Sequence, residues 1–140
     1  MKKIVMIIIC LISFYGSSAL LAQTPDYKVV FDLTSKDSTD HQTVIRWLNG
    51  ISKSDPKAQM EVVFYGKSLD MIVKDRSTVA DEVIRLAQNK NIAFRVCAVA
   101  MKNQQVDKSQ LLPGVETVPD GIYEIIAKQK EGWGYIKAAR

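Results

Sequence analysis

The chain has 140 residues, of which 47% are apolar, with 19 Lys and Arg against 15 Asp and Glu. That length holds one ordinary domain and little more. No run of basic residues interleaved with aromatics occurs, which excludes a nucleic-acid footprint.

The chain opens with Met1-Lys2-Lys3, an apolar run over 4–14, and the short side chains of Gly16, Ser17, Ser18 and Ala19. A positive start, a short apolar run and a small-residue segment are the three parts of a secretory signal. The apolar run is too short to span about 30 Å of hydrocarbon, which takes roughly 20 helical residues. Cleavage after Ala22 is expected, giving a signal peptide over 1–22, a mature domain over 23–140, and an exported protein, periplasmic or extracellular, with no membrane span left. Cys10 lies inside the apolar run, not behind the small residues that lipidation requires. The 118 residues from Gln23 onward carry a formal charge of +2 and a single cysteine, Cys97. They are numerous enough to bury a core without disulfides or a metal.

Residues 27–33 (YKVVFDL) form a near-continuous β-branched and aromatic run, the pattern of a strand covered on both faces. A hydroxyl-rich loop over 34–39 follows. Thr39 and Gln42 then have the spacing of a capping box, opening a helix with Val44, Leu48 and Ile51 on one face that ends near Pro56. Residues 60–65 (MEVVFY) read as a second strand, 67–73 as a short turn or helix, and 78–89 as a helix with Val79, Val83 and Leu86 inward. A third strand is expected over 92–99, with the polar segment after Ala100 as a short helix. Val115 to Val118 make a fourth strand. Pro119-Asp120-Gly121 opens a helix whose inner face is Ile122, Ile125 and Ile126, and 133–138 close the chain as a fifth strand. This alternation predicts an α/β fold, a three-layer α/β/α sandwich around a mostly parallel five-stranded sheet with right-handed crossovers.

In such sheets ligands and chemistry gather at the carboxyl ends of the strands. Four places qualify: Asp32 to Thr34, Tyr65-Gly66, Cys97 to Val99, and Val118 to Gly121. Cys97 carries the most chemistry. A lone thiol in an oxidising compartment is a buried inert side chain, an intermolecular bridge or a reactive group. A helix N-terminus behind it, with Lys102 or Lys67 nearby, would stabilise the thiolate. His41, the only histidine, has no partner at metal-ligand spacing and reads as a surface residue of a first helical turn. The hydroxyl loop before that helix lacks the glycines a phosphate loop uses, so its hydroxyls read as caps. Asp32, Asp70, Asp75 and Asp120 form no evident acid–base pair, and Asp120 reads as a helix cap. Trp133 and Tyr135 read as packing residues. No cofactor or metal is expected.

Cys97 at a strand end, the stretch LLPGVETVPDGIYEIIAKQKEGWGYIKA over 111–138, the opening YKVVFDL and EVVFYGKSLDMI over 61–72 resemble the DsrE/DsrF-like family. The resemblance is to its exported single-domain members. It implies the sandwich already read from the pattern, assembly as a trimer or hexamer, and sulfur passed along as a cysteine persulfide. The family's reactive cysteine follows the third strand, and Cys97 matches it. The implied function is a sulfur carrier or sulfurtransferase-type relay with Cys97 as persulfide acceptor, exchanging sulfur with a donor or acceptor protein or a small sulfur compound. The alternatives are a non-catalytic binding or assembly module with Cys97 buried, and a flavin protein.

Overall fold

A computed structural model describes residues 26–138, so the expected signal peptide and its cleavage point lie outside the described residues. Five parallel strands alternate with helices: β1 (Lys28–Leu33), α1 (Ser38–Ser54), β2 (Gln59–Phe64), a 3-10 turn (Ser68–Met71), α2 (Ala80–Leu86), β3 (Ile92–Cys97), α3 (Ala98–Asn103), a second 3-10 turn (Lys108–Gln110), β4 (Val115–Val118), α4 (Gly121–Lys130) and β5 (Gly134–Lys137). The sheet runs in the order β4-β3-β2-β1-β5, every neighbouring pair being parallel. The three-layer sandwich is as expected.

The strand order explains how the layers fill. From β1 to β4 each crossover steps in one direction, and the last one reverses to set β5 beside β1. Because crossovers keep one hand, a reversed step puts its helix on the opposite face. Side-chain alternation shows the two faces directly. Phe31, Leu33, Met60, Val62, Phe64, Phe94 and Val96 join the main core beneath α1, α2 and α3. Val30 and Val63 point the other way, into a small cluster with Ile125 of α4, against which Trp133 packs. Among the described residues, one face is thus covered by three helices and the other by a single ten-residue helix.

Several boundaries differ from the sequence reading. Helix α1 begins at Ser38, two residues inside the expected loop end, because Asp37 is its N-cap: Asp37 Oδ1 accepts from the Thr39 amide at 2.8 Å. An Asp is at least as good a cap as Thr, and it displaces the expected Thr39–Gln42 box. Strand β3 ends at Cys97 rather than at Val99, since Ala98 already starts α3. The expected inner face of the fourth long helix also needs correction. Of Ile122, Ile125 and Ile126 only Ile125 is buried, while Ile122 and Ile126 are 60% and 45% exposed. Among the described residues α4 lies alone on the second face, with no flanking helix to cover the sides of its apolar stripe.

Candidate functional site

Three of the four strand ends singled out in the sequence converge on one cavity, and the end of β1 lies outside its wall. A cavity of about 230 Å³ at the carboxyl edge is lined by Tyr65, Gly66, Cys97, Val99, Asp120 and Ile122, with Ala100, Asn103 and Gln104 closing it from α3 and the turn behind it. Its location follows from topology. The connection leaving β3 turns onto the first face and the one leaving β4 turns onto the second, so the two chains part and open a crevice between them. Cys97 and Val118, the last residues of β3 and β4, are register partners at that point.

Cys97 sits at the junction of strand and helix. It is the extended residue (φ −67°, ψ 120°) from which α3 departs, and it is a free thiol only 5% exposed. Gly121, first residue of α4, presses on it from above. A methyl group at Gly121 would stand 3.2 Å from Cys97 Cβ, 3.1 Å from Val63 Cγ1 and 3.5 Å from Tyr65 Cβ. The absence of a side chain there is what lets the start of α4, Cys97 and Tyr65 share one small volume. Asp120 caps α4 as expected, its Oδ1 accepting from the Ile122 and Tyr123 amides at 2.8 and 3.0 Å.

The expected cationic helpers are elsewhere. Neither Lys67 nor Lys102 is among the residues lining the Cys97 cavity. Lys102 lines a separate, more open groove of about 480 Å³ with Met101, Val106, Lys108 and Pro119. His41 is in the first helical turn, as read, but it is buried, not on the surface: 2% exposed, with Nε2 2.9 Å from the Ser35 carbonyl. The loop that crosses the top of α1 covers the ring and supplies its hydrogen-bond partner. Among the described residues no group of three or more His, Cys, Asp and Glu side chains is placed to hold a metal ion.

The structure also assembles what the sequence reading treated as scattered. Asp32, 4% exposed, accepts from Tyr135 Oη at 2.6 Å and from Lys137 Nζ at 3.0 Å. Tyr65 stands near enough to the same carboxylate for Asp32 to act on its phenol. Lys137 also donates to Thr34 Oγ1 at 3.0 Å and stands 5.7 Å from the centre of the Tyr65 ring. Burial, then the hydrogen bond to Asp32, pushes the Tyr65 phenol above the usual tyrosine range, helped by the charges of Asp32, Tyr135 and Cys97. The hydrogen bond to Asp32, with burial, raises Tyr135 to about 12. Both phenols therefore stay protonated at working pH and serve as donors. A signal for this cluster was present in the sequence: an aspartate inside YKVVFDL, in a strand covered on both faces, has to find buried donors.

A parallel α/β sandwich with a cysteine at its switch point defines a class of small domains, and comparison with known proteins gives the family. The chain belongs to the DsrE/DsrF-like family, whose profile matches residues 28–138. It is similar in structure to a protein of unknown function, MTH1491, from Methanobacterium thermoautotrophicum, at 28% identity and a TM-score of 0.75, over 80% of this chain and 99% of that one. It also resembles the ychN protein of E. coli (10% identity, TM-score 0.64, 79% and 97% of the two chains). BT1422 of Bacteroides thetaiotaomicron, a conserved protein of unknown function, is similar as well (16% identity, TM-score 0.63, 79% and 93%). The last two likenesses speak for the fold alone. No curated protein matches the chain.

Proposed function

We propose that the protein is a sulfur carrier in which Cys97 accepts a sulfane sulfur and holds it as a persulfide. The reaction needs no oxidant or reductant. The Cys97 thiolate attacks the outer sulfur of a donor persulfide R–S–SH, the new S–S bond forms, and the donor's S–S bond breaks. R–S⁻ leaves with the electron pair and takes up the proton that Cys97 lost. The observation that carries this reading is the position of Cys97, at the carboxyl end of β3, at the switch point, in the wall of a cavity large enough for one or two added sulfur atoms and the tip of a donor.

Exposure of the native protein to polysulfide tests it. Intact mass should rise by one sulfur atom, the gain should vanish with dithiothreitol, and Cys97→Ser should show none. A wild-type protein that gains no sulfur sinks the reading. Burial of the thiol to 5% exposure favours a second one, an assembly or binding module in which Cys97 is inert. It predicts a thiol that alkylates only after denaturant is added.

The proposed protein is exported, on the strength of Lys2, Lys3 and the apolar run behind them, and works as a homo-oligomer, trimer or hexamer. Supporting assembly are apolar side chains left open around the cavity mouth and along α4: Val99, Ile122, Tyr123 and Ile126 are 50%, 60%, 75% and 45% exposed. Contiguous exposed apolar surface of this kind marks interaction sites.

A further inference from the structure

Tyr65 packs against both the main core and the small cluster on the other face. It lines the Cys97 cavity, and its Cβ and that of Cys97 both lie within 3.5 Å of the single point where a Gly121 side chain would begin. Its phenol feels both Asp32 of β1 and Cys97 of β3. Asp32 does not depend on Tyr65. Tyr135 serves its Oδ2 and Lys137 its Oδ1, so the buried carboxylate keeps two donors, one of them charged, if Tyr65 turns aside. A buried acceptor left unpaired would oppose such a turn, and here none is.

We propose that Tyr65 is the hydrogen-bond donor to the sulfur anion on Cys97, held ready by Asp32 and able to turn its O–H from that carboxylate to the thiolate or to the terminal sulfur of the persulfide. The inference rests on the carrier reading for the persulfide but not for the thiolate. Donors matter at this site because the cavity wall holds no Lys or Arg, and an anion in an apolar wall needs hydrogen bonds in place of a counter-ion. The charged and titratable groups facing Tyr65 are Asp32 from β1, Tyr135 and Lys137 from β5, and Cys97 from β3, with Asp120 across the cavity at the cap of α4. An anion on Cys97 is among the influences that keep the phenol protonated, so the donor persists when the thiolate forms.

The test compares Tyr65→Phe with wild type and with Tyr123→Phe, whose phenol is 75% exposed on α4 and outside the cavity. Iodoacetamide labelling of Cys97 is followed across pH, and sulfur loading from polysulfide is followed by mass. Losing one hydrogen bond to a charged group should slow labelling at neutral pH about tenfold and carry the pH profile upward, with loading reduced by a similar factor. Tyr123→Phe should match wild type, and circular dichroism should show all three proteins folded. An unchanged pH profile in Tyr65→Phe overturns the assignment, as does an equal change in Tyr123→Phe or a wild-type thiol that labels only when unfolded. If wild type labels in a Tyr65-dependent way but never loads sulfur, the carrier reading fails and the Tyr65 contact stands. If Tyr65→Phe labels and loads like wild type, the reverse holds.

Discussion

Asp32 and Lys137 face each other across the β1–β5 ladder, and the lysine ammonium donates to the aspartate at 3.0 Å. The pair joins the first strand of the sheet to the last, 105 residues further along the chain. The two ends are not equal. Asp32 is buried, whereas the Lys137 side chain is 44% exposed and can be rehydrated.

Removing the buried end should therefore cost more. Asp32→Ala leaves two phenols and an ammonium without their acceptor, and a change of this kind costs about 3 kcal/mol. Lys137→Ala leaves Asp32 with both phenols and removes a half-exposed partner, for about 1 kcal/mol. Urea unfolding of the two variants gives the comparison. Equal losses, or a larger one for Lys137→Ala, would show that the carboxylate is not the organising centre.

Gly114, at the turn into β4, has φ +87°, and a Cβ there would lie 2.4 Å from the Ala87 Cβ. Gly114→Ala thus meets two separate penalties: left-handed backbone, about 1–2 kcal/mol, and overlap with α2's last turn, another 1–3 kcal/mol. Ala87→Gly in the same chain should recover only the overlap. Thermal unfolding of the single and double variants separates the two, and full recovery in the double variant would show the backbone to be unstrained.

The fold was legible because its signals are local. Continuous apolar runs marked strands covered on both faces, and the helical periods of Val44 and Leu48 or Val83 and Leu86 marked the helices between them. Cys97 was legible for the same reason, as the one thiol near the end of the third apolar run. What escaped the sequence depends on strand order. Nothing local says that β5 returns beside β1, so the meeting of Asp32 with Tyr135 and Lys137 could not be read. Nor could the burial of His41, which a loop six residues upstream imposes through the Ser35 carbonyl. The fate of Ile122 and Ile126 turned on α4 lying alone on its face among the described residues, a consequence of the same reversal in strand order.

Those two isoleucines give a prediction about assembly. They lie on α4 with Tyr123, next to Val99, and all four are exposed. If copies of the chain meet through this surface, a carboxylate in it would be desolvated on association without a partner. Ile126→Glu should then shift the protein to a smaller species in light scattering, while an outward change on the other face, such as Lys53→Glu on α1, should not. A wild-type protein that is already monomeric at tens of micromolar, on the order of ordinary assay concentrations, would count against assembly altogether.

The last prediction concerns the carboxyl group beneath α4. Glu61 lies in β2 on the thinly covered face, 2% exposed, with Oε1 lacking a hydrogen-bond partner. Lys128 of α4 comes to 3.7 Å and Arg95 of β3 to 3.9 Å. Burial dominates and lifts the group from 4.5 to about 7, with Lys128 opposing, Glu124 adding to the rise by repulsion and a shared hydrogen bond, and Arg95 opposing more weakly. Between those two values the folded protein holds a proton that the unfolded chain has released. Stability from this group is therefore fully present below about 4.5 and is lost as pH climbs through about 7. The full loss corresponds to about 3 kcal/mol, with the attraction of Lys128 already counted in it. The direction is opposite to that of an aspartate or glutamate stabilised as an anion, which strengthens a fold as pH rises. Glu61→Gln keeps the shape and removes the titration, so its stability should stay level where wild type declines. Urea unfolding of both proteins from pH 5 to pH 8 isolates the effect, because every other titrating group is common to the pair. Parallel curves would mean that Glu61 ionises beneath α4 no less easily than in the unfolded chain.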